Sequence, residues 1–294
     1  MNNNYNLKKY YFILFSCLLF FNFSIDAFGI NNENPEFYIV DISGDGNFTS
    51  IQEAIDYVKS GDIIYVDGGI YYENLVIDKS ISLIGLDKNN TIIDGRGAGN
   101  VIKVNSDNVK IYNFSIQNSG IYFPNSGINC TSNNNSIKNN TIINCFYGMT
   151  LYYSNYNLIK FNIIKDAKNC GIYMTNSTNN FFLNNTIFNH TYNGIGVYSN
   201  SNYNKIINNS FYKNGYCALN IRTSSNNTIT LNNISNNNIG IHIPSNENFI
   251  YENYFQSNNK DVDEEILTPG FEIYLLFSVF IIMIFGFFFK NFNK

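Results

Sequence analysis

The sequence has little charge, little proline and almost no histidine. Only 14% of its 294 residues are charged, the net charge is −4, and there are four prolines, two histidines and no tryptophan. A protein that binds nucleic acid by counterion release needs a basic face, so the acidic balance excludes that class. Ordinary disorder is disfavoured as well, because disordered chains have few aromatic residues and this one has 23 tyrosines and 26 phenylalanines.

The first 29 residues have the pattern of a secretory signal peptide. Lys8 and Lys9 precede an apolar run from Tyr10 to about Phe21, and the Ala27-Phe28-Gly29 segment fits a small-x-small cleavage site. An uncleaved N-terminal anchor is the alternative interpretation of the same pattern. Export is predicted in both cases.

A second apolar segment lies near the other end of the sequence. Residues 271–289 carry a single charge, and a helix of that length spans about 28 Å, enough to cross a bilayer. Residues 290–294 follow with two lysines, and lysine is retained on the cytoplasmic side. We therefore predict a cytoplasmic lysine tail, a transmembrane helix over 271–289 and an extracellular position for residues 30–267, with the membrane as a partner.

The start of this segment, Thr268-Pro269-Gly270-Phe271-Glu272, resembles the PGF-type C-terminal sorting signal of archaeal surface proteins. The resemblance implies that Pro269, Gly270 and Phe271 form the motif, and that a membrane transpeptidase-like enzyme replaces the helix with lipid. The tail departs from that family, which ends in an arginine-rich cluster, because it carries only two lysines. A permanent anchor is the alternative, and both outcomes place the protein on the outer surface.

Between the apolar ends the sequence repeats about every 23 residues, with three columns in step through six units. The first column is Asn135, Asn157, Asn180, Asn204, Asn227 and Asn248. The second is Asn140, Asn162, Asn185, Asn209, Asn233 and Asn253. The third is Gly127, Gly148, Gly171, Gly194, Ala218 and Gly240.

Each unit contains a short strand with one buried face. The residues one and three places after the glycine column are apolar, as in Met149 and Leu151, and the residues between them are mixed. Three short strands per unit and no helix predict an all-β, single-stranded right-handed parallel β-helix. Asparagine tolerates the left-handed backbone of tight turns and can bond from coil to coil, so these columns are predicted to hold turns.

We predict the β-helix over 63–258, an N-terminal cap over 30–62 before it and an acidic linker over 259–270 after it. A Ser50-x-x-Glu53 capping box followed by apolar residues at helical spacing predicts a capping helix over 50–60. The segment TSIQEAIDYVKSGDIIYVDGGIYYENLVIDKSISLIG and the NNTI repeats after it resemble the NosD-like, pectin-lyase-like β-helix family. That family includes polysaccharide lyases and hydrolases.

Catalytic groups are sparse in the repeats. Over 108–258 the acids are Asp166, Glu247 and Glu252, several coils apart, so no pair there can flank one glycosidic bond. A pair within 63–107 is the remaining possibility for an enzyme. The DGRGAG segment in that region resembles polygalacturonase sequences and is also a glycine-rich turn. We predict that the protein is not an enzyme.

Metal ligands are equally dispersed. The NosD resemblance implies copper, whose sites need clustered histidine, methionine or cysteine. Met149 and Met174 fall on inward columns, and His190 and His242 lie more than two coils apart. We predict no metal, no cofactor and no disulfide.

The remaining candidate surface is the outer strand face. Its predicted outward positions carry aromatic, amide and basic side chains suited to sugar rings and hydroxyls, namely Tyr152, Tyr173, Tyr198, Asn220, Arg222 and His242. Exposed tyrosine is also simply a good strand residue. We predict a structural or adhesin-like surface protein that contacts an extracellular polysaccharide or cell-wall component. A dedicated carbohydrate-binding module is the alternative, and a polysaccharide lyase or hydrolase is a third hypothesis.

N-x-S/T sequons are frequent, and the repeat distinguishes among them. Asn129 lies at a predicted outward strand position and Asn176 in a longer connection, so both are candidate glycosylation sites. Four others stand in predicted tight turns and are expected to carry less glycan, namely Asn139, Asn184, Asn208 and Asn226.

Overall fold

The computed structural model describes residues 34–244 and 247–264. The predicted signal peptide over 1–29, the Pro269-Gly270-Phe271 motif, the transmembrane helix over 271–289 and the lysine tail lie outside these residues. Within the described ranges, no helix is both long enough and apolar enough to cross a membrane.

The described chain is a solenoid of three parallel sheets, and the backbone passes from sheet A to sheet B to sheet C in each coil. Sheet A contains β1 Phe37–Val40, β2 Ile63–Val66, β5 Ser82–Gly85, β8 Lys110–Tyr112, β11 Ser136–Lys138, β14 Leu158–Lys160, β17 Phe181–Leu183, β20 Lys205–Ile207, β23 Thr228–Thr230 and β26 Phe249–Tyr251. Sheet B contains β3 Gly69–Tyr71, β6 Thr91–Asp94, β9 Ser115–Gln117, β12 Thr141–Ile143, β15 Ile163–Lys165, β18 Thr186–Phe188, β21 Ser210–Tyr212, β24 Asn233–Ser235 and β27 Tyr254–Gln256. Sheet C contains β4 Leu75–Ile77, β7 Ile102–Val104, β10 Ser126–Cys130, β13 Tyr147–Tyr152, β16 Ile172–Thr175, β19 Ile195–Tyr198, β22 Cys217–Ile221, β25 Ile239–Ile243 and β28 Lys260–Glu264. The predicted right-handed parallel β-helix is confirmed.

One apolar core runs the length of the solenoid because each inward column stacks on itself. In sheet A, Ile137 pairs with Ile159 and Ile159 with Phe182, one coil apart each time. In sheet C, Met149 pairs with Ile172, and Leu151 with Met174. All of these side chains are buried, which confirms the predicted inward columns.

Asparagine ladders lie at the corners between neighbouring sheets, and two of them were predicted from the sequence. In the first ladder, Asn157 Oδ1 accepts the Asn135 backbone N–H at 2.8 Å, and Asn157 Nδ2 donates to Asn180 Oδ1 at 3.0 Å. Because each oxygen accepts from the coil before it, buried amides are satisfied by one another. The predicted ladder between sheets C and A is confirmed.

The second ladder, between sheets A and B, corrects one predicted member. Asn209 donates its backbone N–H to Asn232 Oδ1 at 2.8 Å, and Asn232 donates to Asn253 Oδ1 at 3.0 Å. Asn233, the predicted member, is instead the first residue of β24 and is exposed. A shift of one residue along an extended chain exchanges the inward and outward faces, so only Asn232 can reach the column.

A third ladder between sheets B and C was not predicted. Asn214 donates its backbone N–H to Asn237 Oδ1, and Asn237 donates to Asn258 Oδ1, each at 3.0 Å. One coil earlier the same position is His190, whose Nδ1 accepts the Ala167 N–H at 3.1 Å. The column was overlooked because its earlier coils do not carry asparagine.

The residue immediately before a ladder position has the left-handed backbone. Its φ is 54° at Asn139, 55° at Asn184 and 54° at Asn208. In the frequent Asn-Asn pairs, the first asparagine therefore adopts the left-handed bend, and the second points inward and forms the ladder hydrogen bonds. At four such positions the bending residue is bulky and apolar or aromatic, namely Tyr156, Phe161, Tyr203 and Leu231.

Replacing Leu231 by asparagine is expected to stabilise the protein. Leu231 has a φ of 57° and is 53% exposed, so the change relieves a left-handed strain of about 1–2 kcal/mol at small loss of burial. We expect a gain of about 0.5–1 kcal/mol by urea denaturation. Leu183→Asn is the control, since Leu183 lies in regular strand β17, and a gain there equal to that at Leu231 would contradict the explanation.

The N-terminal end of the solenoid is covered by helix α1, Ile51–Tyr57, which is shorter than the predicted 50–60. Ile51, Ala54 and Ile55 are fully buried against the first coil. Ser50 is the N-cap, as the capping box predicts, and its side chain accepts from the Glu53 N–H at 3.4 Å. The covered end cannot pair with another strand edge.

The acid that completes this cap comes from the first coil. Glu73 accepts hydrogen bonds from Ser50 Oγ at 3.0 Å, the Ile51 N–H at 2.9 Å and the Gln52 N–H at 2.8 Å. At the other end of the helix, Lys79 Nζ donates to three carbonyl oxygens, those of Ile55, Asp56 and Val58. Both charges suit the helix dipole.

Glu73→Ala is expected to destabilise the protein by about 2 kcal/mol, because three hydrogen bonds to a carboxylate are lost. Thermal denaturation followed by circular dichroism measures this. Glu53→Ala, which removes only a first-turn acid, should cost less. A larger loss at Glu53 than at Glu73 would show that the local capping box, and not Glu73, holds the helix.

The solenoid continues past the predicted boundary at 258. Residues 260–264, expected within an acidic linker, form β28, which pairs with β25 and places Val262 beside Ile241. Lys260, Asp261 and Glu264 are exposed on this last strand of sheet C. Within the described residues β28 is an edge strand of sheet C. Charges on an edge strand disfavour edge-to-edge pairing, which explains why this segment has the acidic composition of a linker.

Candidate functional site

The outer face of sheet C is the candidate site, and the glycine column shapes it. A Cβ on Gly148 would lie 2.5 Å from the Gly171 carbonyl oxygen, and one on Gly171 would lie 2.7 Å from that of Gly194. Glycine at these two positions allows successive coils to approach closely as the chain enters sheet C. We call the outward side chains of the sheet C strands β13, β16, β19, β22 and β25, together with the flanking Asn193 and Arg222, the outer strip. Those used below are Tyr147, Tyr152, Tyr173, Asn193, Tyr198, Asn220, Arg222 and His242.

Tyrosine rings form a continuous contact chain along the outer strip. The centroids of Tyr147 and Tyr173 are 5.2 Å apart, those of Tyr152 and Tyr173 are 5.9 Å apart, and those of Tyr173 and Tyr198 are 5.1 Å apart. Burial raises the pKa of Tyr152 to about 12, and burial also raises the pKa of Tyr173. The phenols therefore stay neutral and can donate and accept hydrogen bonds.

Tyr198 lies flat against the sheet because Gly196 leaves room for it. A Cβ on Gly196 would be 2.4 Å from a ring carbon of Tyr198. The Tyr198 hydroxyl accepts from Asn193 Nδ2 at 3.1 Å, which fixes the ring across the strand. Glycine at this outward position is thus a packing requirement of the tyrosine chain.

The outer strip is more covered than the sequence predicts. Asn220 is 4% exposed and His242 3% exposed, while Tyr152, Tyr173 and Tyr198 are half-buried and Arg222 is exposed. The expectation of an open face is therefore wrong for Asn220 and His242. The cause is lateral packing between neighbouring coils, which a sequence pattern along one strand does not reveal.

Three buried polar atoms of the outer strip have no hydrogen-bond partner among the described residues, namely Tyr152 Oη, Asn193 Oδ1 and Asn220 Oδ1. Buried polar groups are nearly always paired in folded proteins, and leaving one unpaired costs about 1–3 kcal/mol. The strip therefore combines aromatic faces with unused hydrogen-bonding capacity.

At its C-terminal end the outer strip carries a charged group. His242 Nδ1 lies 2.8 Å from Asp263 Oδ2, and His242 Nε2 lies 3.4 Å from Arg222 Nη2. Lys260 also pairs with Asp263. The pKa of Asp263 is lowered, first by its hydrogen bond to Lys260 and then by that to His242. Sequence reasoning missed Asp263 because the repeats were ended at 258, although Val262 continues the inward spacing of Ile241.

The two glycosylation candidates lie in different surroundings. Asn129 is 5% exposed and donates its amide to Thr150 Oγ1 at 2.8 Å, so it is not the exposed acceptor that we expected. Asn176 is half-buried, while Asn139 and Asn208 are exposed at their bends. The bending residues point outward and the ladder residues inward, so the expected advantage of Asn129 over the turn positions has no structural support.

Comparison with known proteins identifies the family. The family described as "Periplasmic copper-binding protein (NosD)" matches residues 42–266, so the chain belongs to the NosD family. No match was found among curated protein sequences.

Solved structures share the fold at low identity. The catalytic domain of a GH87 α-1,3-glucanase in complex with nigerose is 18% identical with a TM-score of 0.57, over 81% of this chain and 47% of that one. The mannuronan C-5 epimerase AlgE6 A-module of Azotobacter vinelandii is 16% identical with a TM-score of 0.50, over 69% of this chain and 71% of that one. The chain thus spans about half of the glucanase domain that it matches.

The described residues do not fit the copper site that the family description implies. No group of three histidine, cysteine, aspartate or glutamate side chains within the described ranges could hold a metal ion. Met149 and Met174 are fully buried in the core, and each histidine ring is engaged by a neighbouring group. The four described cysteines are buried and free, and burial raises the pKa of Cys145 to about 11. A thiol that stays protonated is a poor metal ligand.

Proposed function

We propose that this protein is a surface-displayed, adhesin-like β-solenoid that binds an extracellular polysaccharide along the outer strip of sheet C. The observation that carries the proposal is the row of half-buried tyrosine rings Tyr152, Tyr173 and Tyr198 beside the unpartnered Asn193 and Asn220 oxygens. Sugar rings stack on aromatic faces, and their hydroxyls donate to amide oxygens. Coils repeat about every 4.8 Å, so the strip offers these groups at regular intervals to an extended polymer.

Display at the surface is supported by sequence features at both ends. The signal-peptide pattern over 1–29 and the apolar segment over 271–289 indicate export followed by retention. The family description names a periplasmic location, which also lies outside the inner membrane. Lipid attachment after removal of the helix at Pro269-Gly270-Phe271 and a permanent anchor both leave the solenoid facing outward.

Binding without cleavage is the proposed activity. Asp94, the acid of the DGRGAG segment, is 8% exposed and accepts from the Arg96 N–H, Gln117 Nε2 and Asn118 Nδ2 at 2.7–2.8 Å. A carboxylate with these three donors stabilises the turn and has a structural role. Asp263 is engaged by Lys260 and His242, which leaves the outer strip without the free carboxylate pair that glycoside hydrolysis needs.

A glycan array probed with the full-length protein tests the proposal. We expect binding to at least one extended polysaccharide, a loss of about tenfold or more in Tyr173→Ala, and no loss in the control Tyr212→Ala. Tyr212 stacks on Phe188 at 4.5 Å on the outer face of sheet B, so it matches Tyr173 in chemistry but not in place. Absence of binding, or equal losses in both variants, would contradict the proposal. Release of new reducing ends from a bound glycan would favour the enzyme hypothesis instead.

A further inference from the structure

The C-terminal end of the outer strip carries a cation without a carboxylate partner, in a chain whose net charge is −4. Arg222 is exposed, and its guanidinium has a hydrogen bond to His242 Nε2 at 3.4 Å. Among the residues that the structure describes, no carboxylate forms a salt bridge with Arg222. Burial raises the pKa of Tyr198, and the charge of Arg222 partly opposes this rise.

Neighbouring groups hold Arg222 in position. Since Asp263 is an acceptor, His242 donates through Nδ1–H at 2.8 Å and presents Nε2 as an acceptor to Arg222. Lys260 pairs with Asp263 and balances its charge. Asp261 on the same strand accepts from Asn258 Nδ2 at 3.1 Å. His242 is therefore a positioning residue for Arg222, because its own ring is almost fully buried.

An acceptor stands next to this cation. Asn220 lies between Gly196 and His242 in the paired columns of sheet C, and its buried Oδ1 has no partner among the described residues. Guanidinium groups bind carboxylates through two parallel N–H···O bonds, whereas an amide oxygen accepts from a hydroxyl. The combination matches one sugar that carries both a carboxylate and hydroxyls.

We infer that Arg222 and Asn220 form a subsite for a carboxylate-bearing sugar, so that the polysaccharide bound along the outer strip is a polyuronate. This inference rests on the proposed glycan binding. Arg222 would take the carboxylate, and Asn220 Oδ1 would accept from a hydroxyl of the same sugar. The tyrosine chain would carry the following sugars of the polymer.

The test compares polymers that differ only in charge. The full-length protein is titrated with polygalacturonate, alginate and hyaluronate, and with each polymer after reduction of its carboxylates to alcohols. We expect at least one polyuronate to bind about tenfold more tightly than its reduced form, with a preference that weakens as salt is added. Arg222→Gln should abolish the preference, so that the charged and the reduced polymer bind with similar affinity. Arg222→Lys should retain part of it, since the charge stays but the bidentate geometry is lost.

The outcomes separate this inference from the proposed function. Equal binding of the charged and reduced polymers, both weakened by Tyr173→Ala, would overturn the carboxylate subsite and leave glycan binding intact. Binding of neutral glycans only would have the same meaning. Tighter binding of dextran sulfate than of any polyuronate would show a general attraction for anions and would also overturn the subsite. Failure to bind any polymer, together with a glycan array without binding, would contradict both the carboxylate subsite and the proposed glycan binding.

Discussion

Leu151→Asp is expected to unfold the solenoid at neutral pH. Leu151 is fully buried between Cys130 and Met174 on the neighbouring coils, and none of its paired neighbours is a cation. An unpaired buried carboxylate costs several kcal/mol, which is comparable to the total stability of a domain of about 5–15 kcal/mol. Circular dichroism and limited proteolysis should show the loss of the β-sheet signal and of protection.

Two control variants distinguish the effect of burying a charge from the effect of changing the residue alone. Leu151→Met keeps the volume and should cost less than about 1.5 kcal/mol. Lys205→Asp places the same charge at an exposed position of β20, directly before the buried Ile206, and should be nearly silent. Similar behaviour of Lys205→Asp and Leu151→Asp would mean that the inward and outward columns are exchanged. Thr150 is unsuitable as an outward control, since it is fully buried and bonded to Asn129.

Acidification from pH 6.5 to pH 4 should remove about 3 kcal/mol of stability through His190 alone. Burial lowers the pKa of His190 from 6.5 to about 4, and the charge of Asp166 opposes this only in part. Protonation of Nδ1 would also break the bond from the Ala167 N–H. Because the folded pKa lies below the unfolded one, the unfolded chain binds the proton first. The stabilisation is therefore complete above pH 6.5 and is lost as the pH falls towards 4.

His190→Asn is the matched variant, because asparagine occupies the same ladder position in the next three coils. Its Oδ1 can accept the Ala167 N–H, and its Nδ2 can reach Asn214 Oδ1, which has no partner among the described residues. Urea denaturation at pH 7 and pH 4.5 should show a smaller loss on acidification than in the unchanged protein. The carboxylates titrate in both proteins, so the difference isolates His190. Equal losses would contradict the assigned pKa.

The solenoid could be predicted from sequence because its constraints repeat. Inward positions such as Ile137 and Ile159 recur at a fixed spacing, and each coil confirms the last. Ladder asparagines follow the same rule, as Asn157 and Asn180 show. The third ladder could not be recognised because its asparagines begin only after His190, and the earlier coils fill the position with different residue types.

The outer strip could be predicted only in part, since its surroundings do not repeat. Tyr152, Tyr173 and Tyr198 were assigned correctly to one sheet, and the structure brings their rings together. The fit of Tyr198 over Gly196 and the contact of His242 with Asp263 depend on pairs that occur once. Such contacts occur at single positions, so the periodicity of the sequence does not predict them.

We propose that a polysaccharide lies along the axis of the solenoid on sheet C. The most direct test of this proposal is isothermal titration calorimetry of the full-length protein with an oligosaccharide series, from two to eight sugars, of the polymer that the array selects. From β13 to β25 the strip spans five strands, or roughly 20 Å. The affinity should rise with each added sugar up to about the length of the outer strip and then level off. The Tyr173→Ala variant should bind each oligosaccharide more weakly than the unchanged protein does. Affinity that is independent of length, or unchanged in Tyr173→Ala, would contradict the proposal.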